Sequence, residues 1–163
     1  VNAYKINDSV VLIFTTILDE FSNGFQDDED DDVNEVTDRG YWIRTRGTEE
    51  TVGMADIFLG IINQFSEGYK LKYTKFYIGL EKDGRANNFI AFRPRRAGIN
   101  IDVHLPFSEE WGRKIQEGGL GDLYVDYHRH SGVYRFKVPN SGYIDSNTSI
   151  FIELFKEAYQ NSI

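Results

Sequence analysis

The 163-residue chain contains no cysteine. That absence removes thiolate zinc sites, redox pairs and cysteine nucleophiles together, and leaves the compartment open. Long apolar runs are also missing. The strongest, residues 9–18 (SVVLIFTTIL), covers ten positions against the roughly 20 needed to cross a bilayer. Lys5 precedes this run as it would in a signal peptide, but Asp19-Glu20 follows directly and no small-x-small cleavage pattern appears, so a core helix is the expectation. The chain starts at Val1 rather than Met, which suggests either a removed initiator or a piece of a longer protein. No P-loop, GxGxxG fingerprint, HExxH or GxSxG motif occurs, and no internal repeat is visible. Gly118-Gly119-Leu120-Gly121 leads into a predicted strand, so it lacks the helix N-terminus that would hold a phosphate.

What is present is enough for one packed domain. Hydrophobic residues make up 40% and aromatics 15%, which excludes a disordered chain, a collagen-like repeat and a disulfide mini-protein. The net charge of −8 opposes a uniformly basic binder of nucleic acid or anionic membrane. That total hides two opposed segments. Residues 1–35 hold one base, Lys5, against ten acids, whereas residues 69–96 hold eight bases against Glu81 and Asp83. The acidic run 26–35 (QDDEDDDVNE) fails as an EF-hand, since Asp32 or Val33 falls where glycine is required, and it is expected to be a solvated loop.

Val10, Phe14, Ile17 and Phe21 recur at helical spacing, and Val11 and Leu18 make that segment apolar on a second side. Met54, Ile57, Phe58, Ile61, Ile62 and Phe65 predict a second helix, capped by Thr48 and stopped by Gly68. Strands are expected over 75–80, 88–93 and 99–105, with Asp83-Gly84 in a slightly lengthened hairpin connection. In the third strand Ile99, Ile101, Val103 and Leu105 point to the core while Asn100, Asp102 and His104 point to water. A short helix capped by Ser108, a hairpin over 123–130 and 133–138, and a last helix from about Thr148 to Tyr159, with Asn147 as cap, complete the chain. Strand and helix do not alternate as βαβ units. The expected fold is therefore α+β, a mostly antiparallel sheet of about five strands with helices packed on one face. An N-terminal helix and acidic loop would occupy 1–37 and the α+β domain 38–163.

Two groups of residues could carry function. Arg93, Arg95 and Arg96, stiffened by Pro94 and supported by Lys75, form a basic turn suited to clamping phosphate through guanidinium forks, with a solubilising surface turn as the plain alternative. Lys82 and Arg85 fall near the opposite end of the same strands. The second group is Asp102, His104 and His128, with Asp126 nearby, a general acid–base or metal site if their strands are neighbours and ordinary wet-face residues if not. Tyr41-Trp42 is expected to anchor the N-terminal segment.

Arg39-Gly40-Tyr41-Trp42, then Tyr73-Thr74-Lys75-Phe76-Tyr77-Ile78-Gly79-Leu80, Asn87-Asn88-Phe89-Ile90-Ala91-Phe92-Arg93-Pro94 and the closing Lys156-Glu157-Ala158-Tyr159 resemble a bacterial domain family of unknown function. Some descriptions label it "predicted transport protein", and it is often C-terminal in predicted nucleases and restriction-type proteins. The resemblance spans roughly residues 41–159. It implies no activity, but it does imply context: an accessory module of a larger bacterial cytoplasmic protein, with an enzymatic partner upstream. The absence of a Glu-x-Lys nuclease element agrees with that. The expected function is a non-enzymatic binding module, without cofactor, metal or membrane, whose partner is nucleic acid or protein. A small enzyme using the Asp/His group, and a structural module dimerising through the first helix, are the alternatives.

Overall fold

The computed structural model describes residues 36–163 and the backbone of 2–6 and 9–13. The chain forms two compact units, Val1–Asp31 and Asp32–Ile163. In the first, β1 (Asn2–Ile6) and β2 (Ser9–Ile13) pair antiparallel with Tyr4 opposite Val11. A helix starting at Val10 was the sequence expectation. Val10, Val11 and Ile13 are β-branched, lose rotamer freedom in a helix and fit a pleated strand, and here that preference prevails. The remainder of the expected helix and the acidic loop lie outside the described residues, as does any dimer contact through them.

The second unit opens with Asp38, whose carboxylate accepts from the Tyr41 N–H at 2.7 Å and starts α1 (Arg39–Thr45). Tyr41 and Trp42 are buried, and the Trp42 indole N–H donates to the Thr74 carbonyl at 2.9 Å. They fasten α1 to a turn of the sheet. Next comes α2 (Glu49–Asn63), with a reciprocal Thr48/Thr51 capping box and Glu49 and Glu50 on its positive end. Val52, Met54, Ala55, Phe58, Ile61 and Ile62 are buried along it, but Ile57 faces outward. The helix stops at Asn63, short of Gly68. There the Asn63 side chain bonds both the N–H and the carbonyl of Tyr69 and turns the chain.

Seven strands then build the main sheet, against the five or so expected. They are β3 (Lys70–Tyr73), β4 (Ile78–Lys82), β5 (Arg85–Ala86), β6 (Ile90–Arg95), β7 (Gly98–His104), β8 (Tyr124–His128) and β9 (Val133–Val138). Their order is β3-β4-β6-β7-β9-β8, with β5 paired to β4, and every pairing is antiparallel. β3 was missed because it lies at an edge and alternates Lys70 and Lys72 with Leu71 and Tyr73. Lysines guard an edge against further pairing, and they also dilute its apolar signal. β5 is a two-residue strand that makes Asp83-Gly84 a tight turn, with φ of 53° and 75°.

Between β7 and β8 lies α3 (Glu109–Glu117), capped by Ser108 as expected. The chain ends in α4 (Ser141–Ser146) and α5 (Thr148–Gln160). Asn147 stands at the N-cap of α5 as expected, but its side chain makes no capping bond and its amide donates to the Tyr143 carbonyl at 2.8 Å.

The strand register sorts side chains onto two faces. Phe92, Ile101, Phe136 and Tyr124 stand in one row across β6, β7, β9 and β8. Phe58 of α2 stacks on Phe92 with ring centroids 5.8 Å apart, Phe151 of α5 meets Phe136 at 6.4 Å, and Phe58 touches Phe151 at 5.2 Å. Helices α2 and α5 therefore share that face. The neighbouring row, Ala91, Asp102, Arg135 and Asp126, points the other way. The architecture is α+β around a mostly antiparallel sheet. Among the described residues no helix is long and apolar enough to cross a membrane.

Candidate functional site

Alternation along β7 puts Asn100, Asp102 and His104 on the face opposite α2 and α5, as the sequence predicts. Asp102 is nevertheless not wet: it is only 3% exposed. Two guanidiniums enclose it. Arg135, directly across on β9, donates from Nε to Oδ1 at 2.9 Å and from Nη2 to Oδ2 at 3.3 Å, and Arg93, on the diagonal in β6, donates from Nη1 to Oδ2. Burial pushes the carboxyl up, but the Arg135 hydrogen bond and the two positive charges outweigh it and hold Asp102 below its ordinary range. The same bond raises Arg135. Asp126, opposite Arg135 on β8, adds a second carboxylate on this face and also raises Arg135.

One step along the strands, Asn100 faces Arg93 on one side and Lys137 on the other, and Arg95 stands opposite Gly98. Arg93 and Arg95 share this sheet face, while Arg96 sits in the turn from β6 to β7. Lys75 lies in the turn from β3 to β4. Because Ile78 pairs antiparallel with Phe92, that turn comes to the same end of the sheet as Arg95 and Arg96. Of the four bases predicted as a clamp, three therefore gather at one sheet end, and Arg93 is drawn away to Asp102. Lys82 and Arg85 flank the Asp83-Gly84 turn at the other end. Arg135, Lys137 and Asn100 were not singled out from sequence. The alternation of Tyr134, Phe136 and Val138 with Arg135 and Lys137 was there to read, but not that β9 lies beside β7.

The Asp/His group is not drawn into one cleft. Asp102 and His104 share β7, while His128 belongs to β8, and β9 runs between them with Val133 opposite both histidines. Two strand spacings, roughly 9–10 Å, separate those backbones. His128 Nδ1 is instead 2.6 Å from Ser131 Oγ in its own hairpin. Asp102, fixed by two arginines, is not available as a base or metal ligand, and the described residues contain no cluster of three His, Asp or Glu that could hold a metal. Among the described residues, the hollow beside Trp111 and Lys114 and the hollow beside Tyr69, Lys82 and Tyr159 include none of these residues.

His104 gives a pH prediction. Burial lowers its pKa, against the attraction of Asp102 and with the help of Arg93. The unfolded chain then binds a proton near pH 6.5 that the folded chain takes up only at lower pH, so stability is full above that value and declines as the pH falls through the folded one. The loss is at most about 1.4 kcal/mol per pH unit in that window. Urea midpoints between pH 7.5 and 5 should show the decline in the wild type and a flatter profile in His104→Asn. Parallel profiles would contradict it.

Comparison with family models, with curated proteins and with solved structures gives no match to this chain.

Proposed function

We propose that this chain is a non-enzymatic binding module of a larger bacterial protein, and that it takes the phosphate backbone of a nucleic acid at the basic end of its sheet. The observation that carries this is the convergence of Lys75, Arg95 and Arg96 on two adjoining turns. Pro94 fixes the backbone immediately before the two arginines, and the acidic Glu49 and Glu50 open α2, which packs on the other sheet face. Phe76, next to Lys75, is 65% exposed and offers a ring on which a base can stack. Within the second unit, α2 and α5 lie on one side of the sheet and the basic turns at its end. The resemblance of residues 41–159 to an accessory domain supports the same context.

The test is fluorescence anisotropy with single-stranded and duplex DNA at two salt concentrations, comparing the intact chain with Lys75→Ala/Arg95→Ala/Arg96→Ala. If each base neutralises one phosphate, the triple variant loses about 2.1 log units per log salt on single strands and about 2.7 on duplex. An unchanged slope, or no binding by the intact chain at low salt, removes this reading.

A further inference from the structure

We infer that the nucleic acid taken at the basic end of the sheet is single-stranded, and that Phe76 selects it by stacking on an unpaired base. The selection rests on the reading of this end as a phosphate-backbone site and names the ligand class for it. The ring and the turn that bears it carry the preference, not a surplus of charge.

Phe76 is the most open aromatic ring among the described residues, where it has no ring partner and no cation over its face. Phe107, the next most exposed, touches Tyr127 at 5.2 Å and lies under Arg129. Single exposed rings are common on protein surfaces, and what sets this one apart is the backbone beneath it. β4 begins only at Ile78, so Phe76 falls in the turn and not in the strand that the sequence suggests over 75–80.

The turn is tied at several points. The Thr74 hydroxyl accepts from the N–H of Phe76 at 3.3 Å and of Tyr77 at 3.1 Å, and donates to the Tyr77 carbonyl at 2.7 Å. The Thr74 N–H donates to that same carbonyl at 3.0 Å. Its own carbonyl takes the indole N–H of the fully buried Trp42. The backbone that carries the ring is thus ordered before a ligand arrives, which spares the ligand that cost.

The corner between α1 and α2 then links this turn to the arginine turn. Trp42 holds Thr74, and five residues later Gly47 packs so closely on Pro94 that an added Cβ would lie 3.0 Å from the proline Cβ. Phe76 and Lys75 therefore keep a fixed place relative to Arg95 and Arg96. In a duplex each base face is covered by its neighbours, and a ring on a protein surface meets only backbone. In a single strand every base offers an open π-face, and stacking on an aromatic side chain adds about 5- to 150-fold in affinity whatever the sequence.

Fluorescence anisotropy of the intact chain with labelled oligo-dT, an abasic strand of the same length and a duplex tests this. Oligo-dT should bind tighter than the abasic strand by that factor. The ratio should be the same at low and high salt, because both strands carry the same phosphates and stacking releases no counterions. Phe76→Ala should erase the ratio and leave abasic and duplex binding unchanged, whereas Phe76→Trp should keep it. Both variants alter an exposed side chain and should unfold at the wild-type urea midpoint. Oligo-U, run alongside, distinguishes RNA from DNA as the source of the strand, and the tighter binder should depend on Phe76.

If oligo-dT and the abasic strand bind alike through Lys75, Arg95 and Arg96, stacking is overturned and the phosphate-backbone reading stands. A preference for oligo-dT that survives Phe76→Ala also overturns it, since another group then reads the bases. If no strand binds at low salt, both readings fall.

Discussion

Asp102→Ala is expected to lower the free energy of unfolding by about 3–5 kcal/mol, the range found when one partner of a buried ion pair is removed. The carboxylate is nearly inaccessible and is the counter-charge for both Arg93 and Arg135. Without it two guanidiniums face each other across β7 with no anion between them. The loss should be relieved, not compounded, by removing the cations as well: Asp102→Leu/Arg93→Met/Arg135→Met should recover most of it, because a hydrophobic substitute of similar volume often matches a buried ion cluster. Urea denaturation with a common m-value measures both. A cost below about 1 kcal/mol for Asp102→Ala would place the cluster among solvated surface pairs.

Phe58→Ala is expected to cost a comparable amount, about 3–5 kcal/mol, through the cavity it leaves. Phe58 is fully buried where α2, α5 and the sheet meet, with ring centroids 5.8 Å from Phe92, 5.2 Å from Phe151 and 5.7 Å from Phe155. Its neighbour in sequence gives the control. Ile57 is 38% exposed, and Ile57→Ala should stay within about 0.5 kcal/mol, as surface substitutions do. Similar losses at both positions would mean that α2 buries a wider face than the structure shows.

This pair also marks how far periodicity can be trusted. Both residues belong to the apolar repeat that predicts α2, and the repeat alone gives them equal standing. Only the rotation of the helix against Phe92 and Phe151 distinguishes them. The N-terminal segment shows the opposite limit. Val10, Phe14, Ile17 and Phe21 have helical spacing, yet 9–13 is a strand, because a few spaced apolar residues weigh less than a local run of β-branched ones. Asn147 was a plausible cap by type, and its amide went to Tyr143 when α4 arrived just before it.

The site divides along the same line. That Arg93 and Arg95 share a face, and that Asn100, Asp102 and His104 share another strand's face, follows from the two-residue period of a strand and was legible at once. What they do was not. The sequence reading gave Arg93 to a phosphate clamp and Asp102 to a histidine site, but the structure joins them to each other.

By itself the sequence determined α2, α3 and α5, most of their caps, the turn at Asp83-Gly84, the inner and outer sides of β7 and the α+β class. Each depends on residues within a turn or two of one another, where spacing and capping chemistry act directly. The tertiary structure decided that β9, not β8, lies beside β7, and with it that Arg135 stands opposite Asp102 and Lys137 opposite Asn100. Strand order is set by which pairing buries the most apolar surface against the helices, a choice among segments more than 30 residues apart that no local pattern records.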